Sequence, residues 1–317
     1  MGRRRPTLAA IGDLILDIVV RADAPPATGT DVPGTIMLRA GGSAANTCRA
    51  FAALGGRATF IGAVGADGLA ARLKAALRAE GVVARLVTVD APTARLVAVV
   101  GAGGERSFIT QRGAADRLRP TDVKPAWLRG VDVLHLPAYS LLAEPLASAA
   151  RAAAEQVRAG GGLVSLDLAS HRPLLAGGRA AATRRLRDVH ADVLLANAAE
   201  ARALGGSNAE ALLVIAPMVV VKEGSAGCRV LWRAAEDVVR QLDVATISID
   251  AADTTGAGDA FDAGFLHAIT AAQGRGEARS DDPHAGLRRA QTLRRAAVAG
   301  HRAAARLLRA RWRELDL

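Results

Sequence analysis

The sequence predicts an α/β fold, a mostly parallel central sheet flanked by helices on both faces, with a small β-sheet beside it. Three observations point there. Short, fully apolar runs such as "VDVLHLP", "ADVLLAN" and "PMVVVKEG" alternate with amphipathic, alanine-rich segments, and strands apolar on both faces are what a sheet buried between two helical layers requires. The early strands and the segment "ARLVAVVGAGGERSFIT" carry more polar residues, as a sheet with one wet face would. The chain has 317 residues, 50% hydrophobic and 23% charged, which supplies ample apolar material for a core.

Taken in order, "LAAIGDLILDIVV" reads as a first strand, followed by a Pro/Gly-rich connection from Ala24 to Gly34. "GTIMLRA" is a second short strand, and "SAANTCRAFAALG" a helix stopped at Gly55. "ATFIGAVG" is a strand, "DGLAARLKAALRAEG" a helix ended by Gly81, and "ARLVTVD" a strand. Two β-branched runs joined by glycines make "ARLVAVVGAGGERSFIT" a hairpin. "VDVLHLP", "GGLVSLDLA", "ADVLLAN" and "PMVVVKEG" follow as strands with helical material between them. From Gly256 onward, Ala260, Phe261, Gly264, Phe265, Ala268 and Ile269 form one apolar face at helical spacing. The polar stretch Gln273 to Gly286 reads as a loop.

Composition excludes several classes. No run of about eighteen uncharged apolar residues exists, so no transmembrane helix is expected. Three arginines precede an apolar run at the N-terminus, but Asp13 and Asp17 interrupt it, so it reads as a strand of a cytoplasmic protein rather than a leader. Two cysteines, Cys48 and Cys228, and six scattered histidines support neither a disulfide framework nor a zinc site. The net charge is +10. The arginines are spread along alanine-rich helices and aromatics make up only 3% of the chain, so base-stacking platforms are scarce and no nucleic-acid partner is expected.

Three glycine clusters compete as phosphate loops, which work because backbone N–H groups reach an anion when no side chain intervenes. "GAVGADG" has the spacing G-x-x-G-x-x-G, not that of a dinucleotide loop, and reads as a structural turn. "AGGSAAN" precedes a helix, and taken alone Ser43 reads as its N-cap. In "DTTGAGDAFDAGF", Gly256, Ala257 and Gly258 occupy a first helical turn, where amides lack partners. Asp259 stands at the edge of that turn. An acid there also suits the helix dipole, a role Asp262 fits equally well. An open anion site beside a carboxylate is nonetheless what phosphoryl transfer needs: donors for the transferring group and a base for the attacking hydroxyl.

"AGGSAANTCRAFAALGGRATFIGAVGADGLA" and "DTTGAGDAFDAGFLHAI", in that order and separation, resemble the two signatures of the ribokinase-like (PfkB) carbohydrate kinases. The resemblance implies a single kinase domain over 1–317, with a discontinuous lid formed by about 15–40 and 92–115. It implies Asp259 as the base, with the amides of Gly256, Ala257 and Gly258 as the anion hole. It places Gly42, Asn46, Asp17 and Asp13 at the sugar, with Arg112 and Gly113 of "RGAADRL" closing over it. "NAAE" resembles a motif near Mg2+ and the phosphates, which implies nucleotide-site roles for Asn197 and Glu200, Glu200 reaching Mg2+ through water. "VKEGSAG" resembles the element beside the nucleotide, implicating Lys222, Gly224 and Gly227. Asp253 and Thr255 lie where many members bind a monovalent cation such as K+.

The implied activity is ATP-dependent phosphorylation of a hydroxymethyl group on ribose, fructose, 2-keto-3-deoxygluconate or a similar acceptor, by a homodimer paired through the lid. Arg106 and Arg112 would suit an acidic acceptor. Where some members carry an acid after the "VDVLHLP" strand, this chain has Pro137, Ala138 and Tyr139, which leaves the acceptor open, and no adenine-flanking loop is legible near the C-terminus. The competing readings are a nucleoside or vitamin-type hydroxymethyl kinase on the same fold, and a basic regulatory protein on a degenerate kinase fold. Intact Asp259 and its small-residue loop argue against the last.

Overall fold

A computed structural model describes residues 4–25, 28–101, 106–235, 238–246, 249, 251, 253–273, 290–310 and 314–315. The loop expected over Gln273 to Gly286 lies, but for Gln273, outside them. The chain opens with β1 (Thr7–Ile11), β2 (Ile15–Ala22), β3 (Gly34–Gly41), α1 (Ser43–Ala53), β4 (Arg57–Gly65), α2 (Gly68–Ala79), β5 (Val82–Val89), β6 (Ala94–Val100) and β7 (Arg106–Gln111). It continues with β8 (Val133–Pro137), α3 (Leu146–Ala159), β9 (Leu163–Asp167), α4 (His171–Leu174), α5 (Gly178–Arg187), β10 (Val193–Asn197), α6 (Ala198–Gly205) and β11 (Met218–Lys222). β12 (Cys228–Ala235), β13 (Val238–Val244), α7 (Ala257–Gln273) and α8 (Ala290–Arg309) complete it.

The strands form a large sheet in the order β13-β12-β11-β10-β9-β8-β1-β4-β5 and a small one in the order β3-β2-β6-β7. Pairing from β11 through β5 is parallel. Consecutive residues on these strands feed opposite cores, because side chains alternate across the pleat. Ala9, Ile11, Leu134, Leu136, Leu194 and Val219 pack on the side of α3, α5 and α6. Leu8, Ala10, Val133, Leu195 and Val220 pack on the side of α1, α2, α7 and α8. That two-sided demand is why β8 and β9 are buried at every position.

Two expectations change. "LAAIGDLILDIVV" is two strands: β1 lies in the large sheet and β2 in the small one. The chain leaves the large sheet at Gly12, where a Cβ would sit 2.9 Å from that of Ala44, so only glycine lets α1 pack that close. The apolar run hid the break because both halves are apolar for different sheets. β12 and β13, which the strand pattern left unassigned, add an antiparallel edge. The short turn after β11 permits only a hairpin, since a parallel partner needs a long crossover.

"GAVGADG" is a structural turn, as read. The Asp67 side chain accepts from Ala70 N at 3.1 Å, capping α2, and also from Thr93 N at 2.9 Å and Thr93 Oγ1 at 2.6 Å. It therefore ties the large sheet to the start of β6. On the other flank α7 and α8 cross closely: a Cβ on Gly264 would lie 2.5 Å from Ala299 O, and one on Gly300 2.8 Å from the Phe261 ring. Among the described residues no helix is long and apolar enough to cross a membrane.

Candidate active site

The polar residues gather at the carboxyl ends of the parallel strands, the edge at which open α/β sheets bind ligands. Asp13 follows β1, Tyr139 follows β8, Asp167 ends β9, Asn197 ends β10 and Lys222 ends β11. The small sheet contributes Asp17 from β2 and Arg39 from β3, which are direct partners across the strand pair.

α7 begins at Ala257, directly after Gly256 at φ +74, a left-handed conformation that glycine adopts without Cβ strain. The chain thus turns into the helix with the amides of its first turn directed outward. Asp259 sits in that turn. Its Oδ1 accepts from Ser43 Oγ at 2.7 Å and its Oδ2 from Asn46 Nδ2 at 2.9 Å. Burial pushes the Asp259 carboxyl up to about 6, against the pull of those two hydrogen bonds.

Ser43 is not the N-cap expected of it. Gly42 at φ +105 caps α1 without a side-chain bond, which leaves the Ser43 hydroxyl for Asp259. A Cβ on Gly42 would lie 2.1 Å from Asp13 O, so the glycine brings the start of α1 against the chain crossing between the two sheets.

Arg112 is held on both sides. Its Nη1 and Nη2 donate to the two Asp13 oxygens at 2.6 and 2.8 Å, and its Nε donates to Asp116 at 2.7 Å. The guanidinium also lies 5.5 Å from the Tyr139 ring centre. Burial raises the Asp13 pKa while Arg112 opposes it. Asp17 is pushed up to about 7 by burial, with Arg49 and Arg39 pulling the other way and Asp259 adding to the rise. Gly41 makes room for that carboxylate, since a Cβ there would meet it at 2.1 Å.

Beneath the first turn of α7 lies a buried charge cluster. Lys222 Nζ donates to Asp167 Oδ2 and to both oxygens of Asp262, at 2.9 and 3.1 Å. The same ammonium is 3.4 Å from the position a Gly258 Cβ would take. Burial alone would lower the Lys222 pKa, but the two carboxylates raise it instead. Asp262, pressed by burial and by Asp167, is held well above the ordinary carboxylate value, against the pull of Lys222. Asp262, which the helix dipole alone would have accounted for, is in fact a partner of Lys222.

Asn197 and Glu200 form a capping box: Asn197 Oδ1 accepts from Ala199 N and Glu200 N, and Glu200 Oε2 accepts from Asn197 N at 2.8 Å. Asn197 is exposed and Glu200 buried. Glu200 is pushed up to about 7 by burial and by Asp167, with Asp259 adding to the rise, so it faces the same cluster. Gly224 and Gly227 lie on the turn between β11 and β12. Asp253 Oδ1 accepts from Thr255 N at 3.0 Å and Oδ2 from Arg39 Nη1 at 2.8 Å. The Arg106 side chain lies outside the described residues.

The resemblance implied Asp13, Asp17, Asn46, Arg112 and Asp259 as site residues, and the fold brings them to one end of the sheet. Sequence patterns were less complete. They missed Ser43 as a partner of Asp259, and they missed Arg39, Asp116 and Asp167, whose partners stand far along the chain. The only available signal was that polar residues close the apolar strands.

The sequence of residues 5–309 matches the pfkB family carbohydrate kinase model. Probable fructokinase-4 of Arabidopsis thaliana is 32% identical over 270 residues, covering 80% of this chain and 79% of that protein. Fructokinase of Escherichia coli is 31% identical over 276 residues, covering 82% and 83%. Among solved structures, adenosine kinase from Sinorhizobium meliloti superposes with a TM-score of 0.78 at 26% identity, covering 96% of this chain and 94% of that one. A match over nearly the whole chain, on a ribokinase-like architecture, makes this chain a member of the PfkB family and an ATP-dependent carbohydrate kinase.

Proposed function

We infer that this kinase transfers the γ-phosphoryl group of ATP to the primary hydroxyl of a neutral sugar, a ketohexose such as fructose first among the candidates. The observation that carries the reading is Asp259, desolvated and fixed by Ser43 and Asn46 beside the Gly256–Gly258 turn. In this arrangement Asp259 accepts the proton of the attacking hydroxyl. The amides of Gly256, Ala257 and Gly258 receive the charge on the transferring group, helped by the α7 dipole. Asp17, Asp13 and Gly42 line the acceptor side, where carboxylate oxygens take hydroxyl hydrogen bonds. The preference for a neutral acceptor rests on Arg112. With Asp13 and Asp116 both on its guanidinium, it has little charge left for the carboxylate of a keto-acid. The names of the fructokinase relatives support the same choice.

Among the described residues no three histidine, cysteine or carboxylate groups converge as a metal cage. Mg2+ therefore fits as a companion of the nucleotide phosphates, reached by Glu200 through water, where it supplies neutralising charge. Arg39 brings its positive charge to the carboxylate expected to hold a monovalent cation, so the reading carries no step through K+. Asn197, Lys222, Gly224 and Gly227 border the nucleotide side. The small sheet, covering residues 15–41 and 94–111 in part, acts as a lid that excludes water, the competing acceptor. Its outer face carries Ile18, Val20, Ile36, Val97, Val99 and Ile109 at matching register, a surface suited to a second copy. Free Cys48 and Cys228 and the use of ATP suit the cytoplasm.

The test is ADP release with Mg·ATP across fructose, ribose, 2-keto-3-deoxygluconate and adenosine. Turnover of a neutral sugar that Asp259→Asn abolishes supports the reading. Preference for the keto-acid overturns the acceptor assignment.

A further inference from the structure

Arg49 is a charged residue on a helix that otherwise buries apolar and small side chains, among them Ala45, Cys48 and Phe51. Its side chain is only 10% exposed. Nη1 donates to Ala40 O at 2.8 Å and to Asn46 Oδ1 at 2.9 Å, and Nε lies 3.4 Å from Glu80 Oε1 at the end of α2. Nη2 is buried without a hydrogen bond among the described residues. The first signature runs through this position, but the resemblance implies no role for it there, and a buried arginine would not persist in an apolar face without a compensating role.

The arrangement decides which way Asn46 faces. A guanidinium only donates, whereas an amide side chain donates from one end and accepts at the other. Against Arg49, Asn46 must present its oxygen, and its NH2 is then left pointing at Asp259. We propose that Arg49 is a positioning residue for this kinase: by locking the Asn46 amide it keeps both Asp259 oxygens supplied with donors and so keeps Asp259 an ionised acceptor. Without Arg49 the amide can reverse and offer its oxygen, which would bind the protonated acid better than the carboxylate. The inference rests on Asp259 being the base. It adds an upstream residue that neither contacts the acceptor nor belongs to the phosphate loop.

The charged groups facing Asp259 are Asp167 from β9, Glu200 from α6, Lys222 from β11, Asp17 from β2 and Arg49 itself from α1. All but Arg49 stay in place in the variants proposed here. The loss of Arg49's own charge acts on Asp259 with or without Asn46, so the part of the shift that vanishes when Asn46 is absent reports on the Arg49–Asn46 link.

The experiment is the pH profile of kcat/KM for wild type, Arg49→Leu, Arg49→Lys, Asn46→Ala and the Arg49→Leu/Asn46→Ala double variant, each checked by thermal melting. Arg49→Leu should move the acid limb up by about one pH unit and cost about tenfold at pH 6, with recovery toward pH 8. Arg49→Lys keeps a donor-only head group and the native charge, so its limb should stay near that of the wild type. The double variant should be little worse than Asn46→Ala alone, because the arginine acts mainly through the asparagine. A carboxyl carbon NMR titration of Asp259, assigned by its loss in Asp259→Asn, should show the same upward shift. It needs no turnover, so a wrong acceptor or a failed kinase reading cannot mimic or hide the result. An unmoved titration in folded Arg49→Leu, or in Arg49→Lys a shift as large as in Arg49→Leu, or additive losses in the double variant, would overturn the proposal.

Discussion

As the proposed base, Asp259 must give up its proton before it can take one from a sugar hydroxyl. Burial places its pKa at about 6, so the ionised form dominates above that value and is lost below it. The rate should be flat near pH 8 and fall about tenfold per unit below pH 6, as a pH profile of kcat/KM would report. Lys222 makes a second case at the same scale. Lys222→Met would strand Asp167 and Asp262 against each other, and breaking a buried pair in this way costs about 3–5 kcal/mol. Asp262→Asn should cost less, about 1 kcal/mol, because burial already disfavours the charged form of Asp262 and the amide keeps its shape. Denaturant titration of both variants separates these outcomes. The pairing was not legible beforehand: an acid near a helix start satisfies the local pattern alone, and the lysine that claims it lies 40 residues earlier. Ser43 failed for the same reason. A serine before a helix reads as a cap, and only the glycine at φ +105 shows that another residue has that task.

Among the elements, periodicity located the strands of the parallel sheet and the helices after "AGG" and "TTGAG", because burial on both faces imposes a pattern visible in any window. It did not show that the first apolar run divides between two sheets. Gly12 was the local mark of that break, but its reason is the close approach of Ala44. Nor did it show β12 and β13, of which β13 is the exposed, polar edge strand and β12 is only partly covered. The α7–α8 crossing yields a prediction at this scale. Gly264→Ala places a methyl 2.5 Å from Ala299 O and 2.8 Å from the Ala303 methyl, all on rigid helices. It should destabilise the fold by about 1–3 kcal/mol, and it should lower activity too, because α7 carries Asp259. Gly68→Ala, with nothing within 4 Å of the added methyl, is the matched control, expected to melt within a few degrees of the wild type in the same scan.

For the molecule as a whole, the small sheet has two unlike faces. One turns Asp17 and Arg39 to the site, and the other presents apolar side chains, with Ile36 65% and Ile109 70% exposed. A sheet face of that kind left in water favours association, so the wild type should run as a dimer in light-scattering chromatography at micromolar concentration. Ile36→Glu or Ile109→Glu should run as a monomer, and a monomeric wild type would refute the assignment. The site itself spans both parts of the fold, with Asp17 from the small sheet and Asp259 from α7, which packs on the large one, so the proposed lid would link its position to the chemistry.

The central claim is that Asp259 serves as the base for phosphorylating a neutral sugar. ADP release with Mg·ATP, fructose against 2-keto-3-deoxygluconate, in wild type and Asp259→Asn, tests it most directly. The account predicts turnover with fructose, at most about a tenth of that rate with the keto-acid, and a loss of at least about a hundredfold in the variant. Turnover that survives Asp259→Asn would contradict the role of Asp259, and turnover confined to the keto-acid would contradict the role given to Arg112.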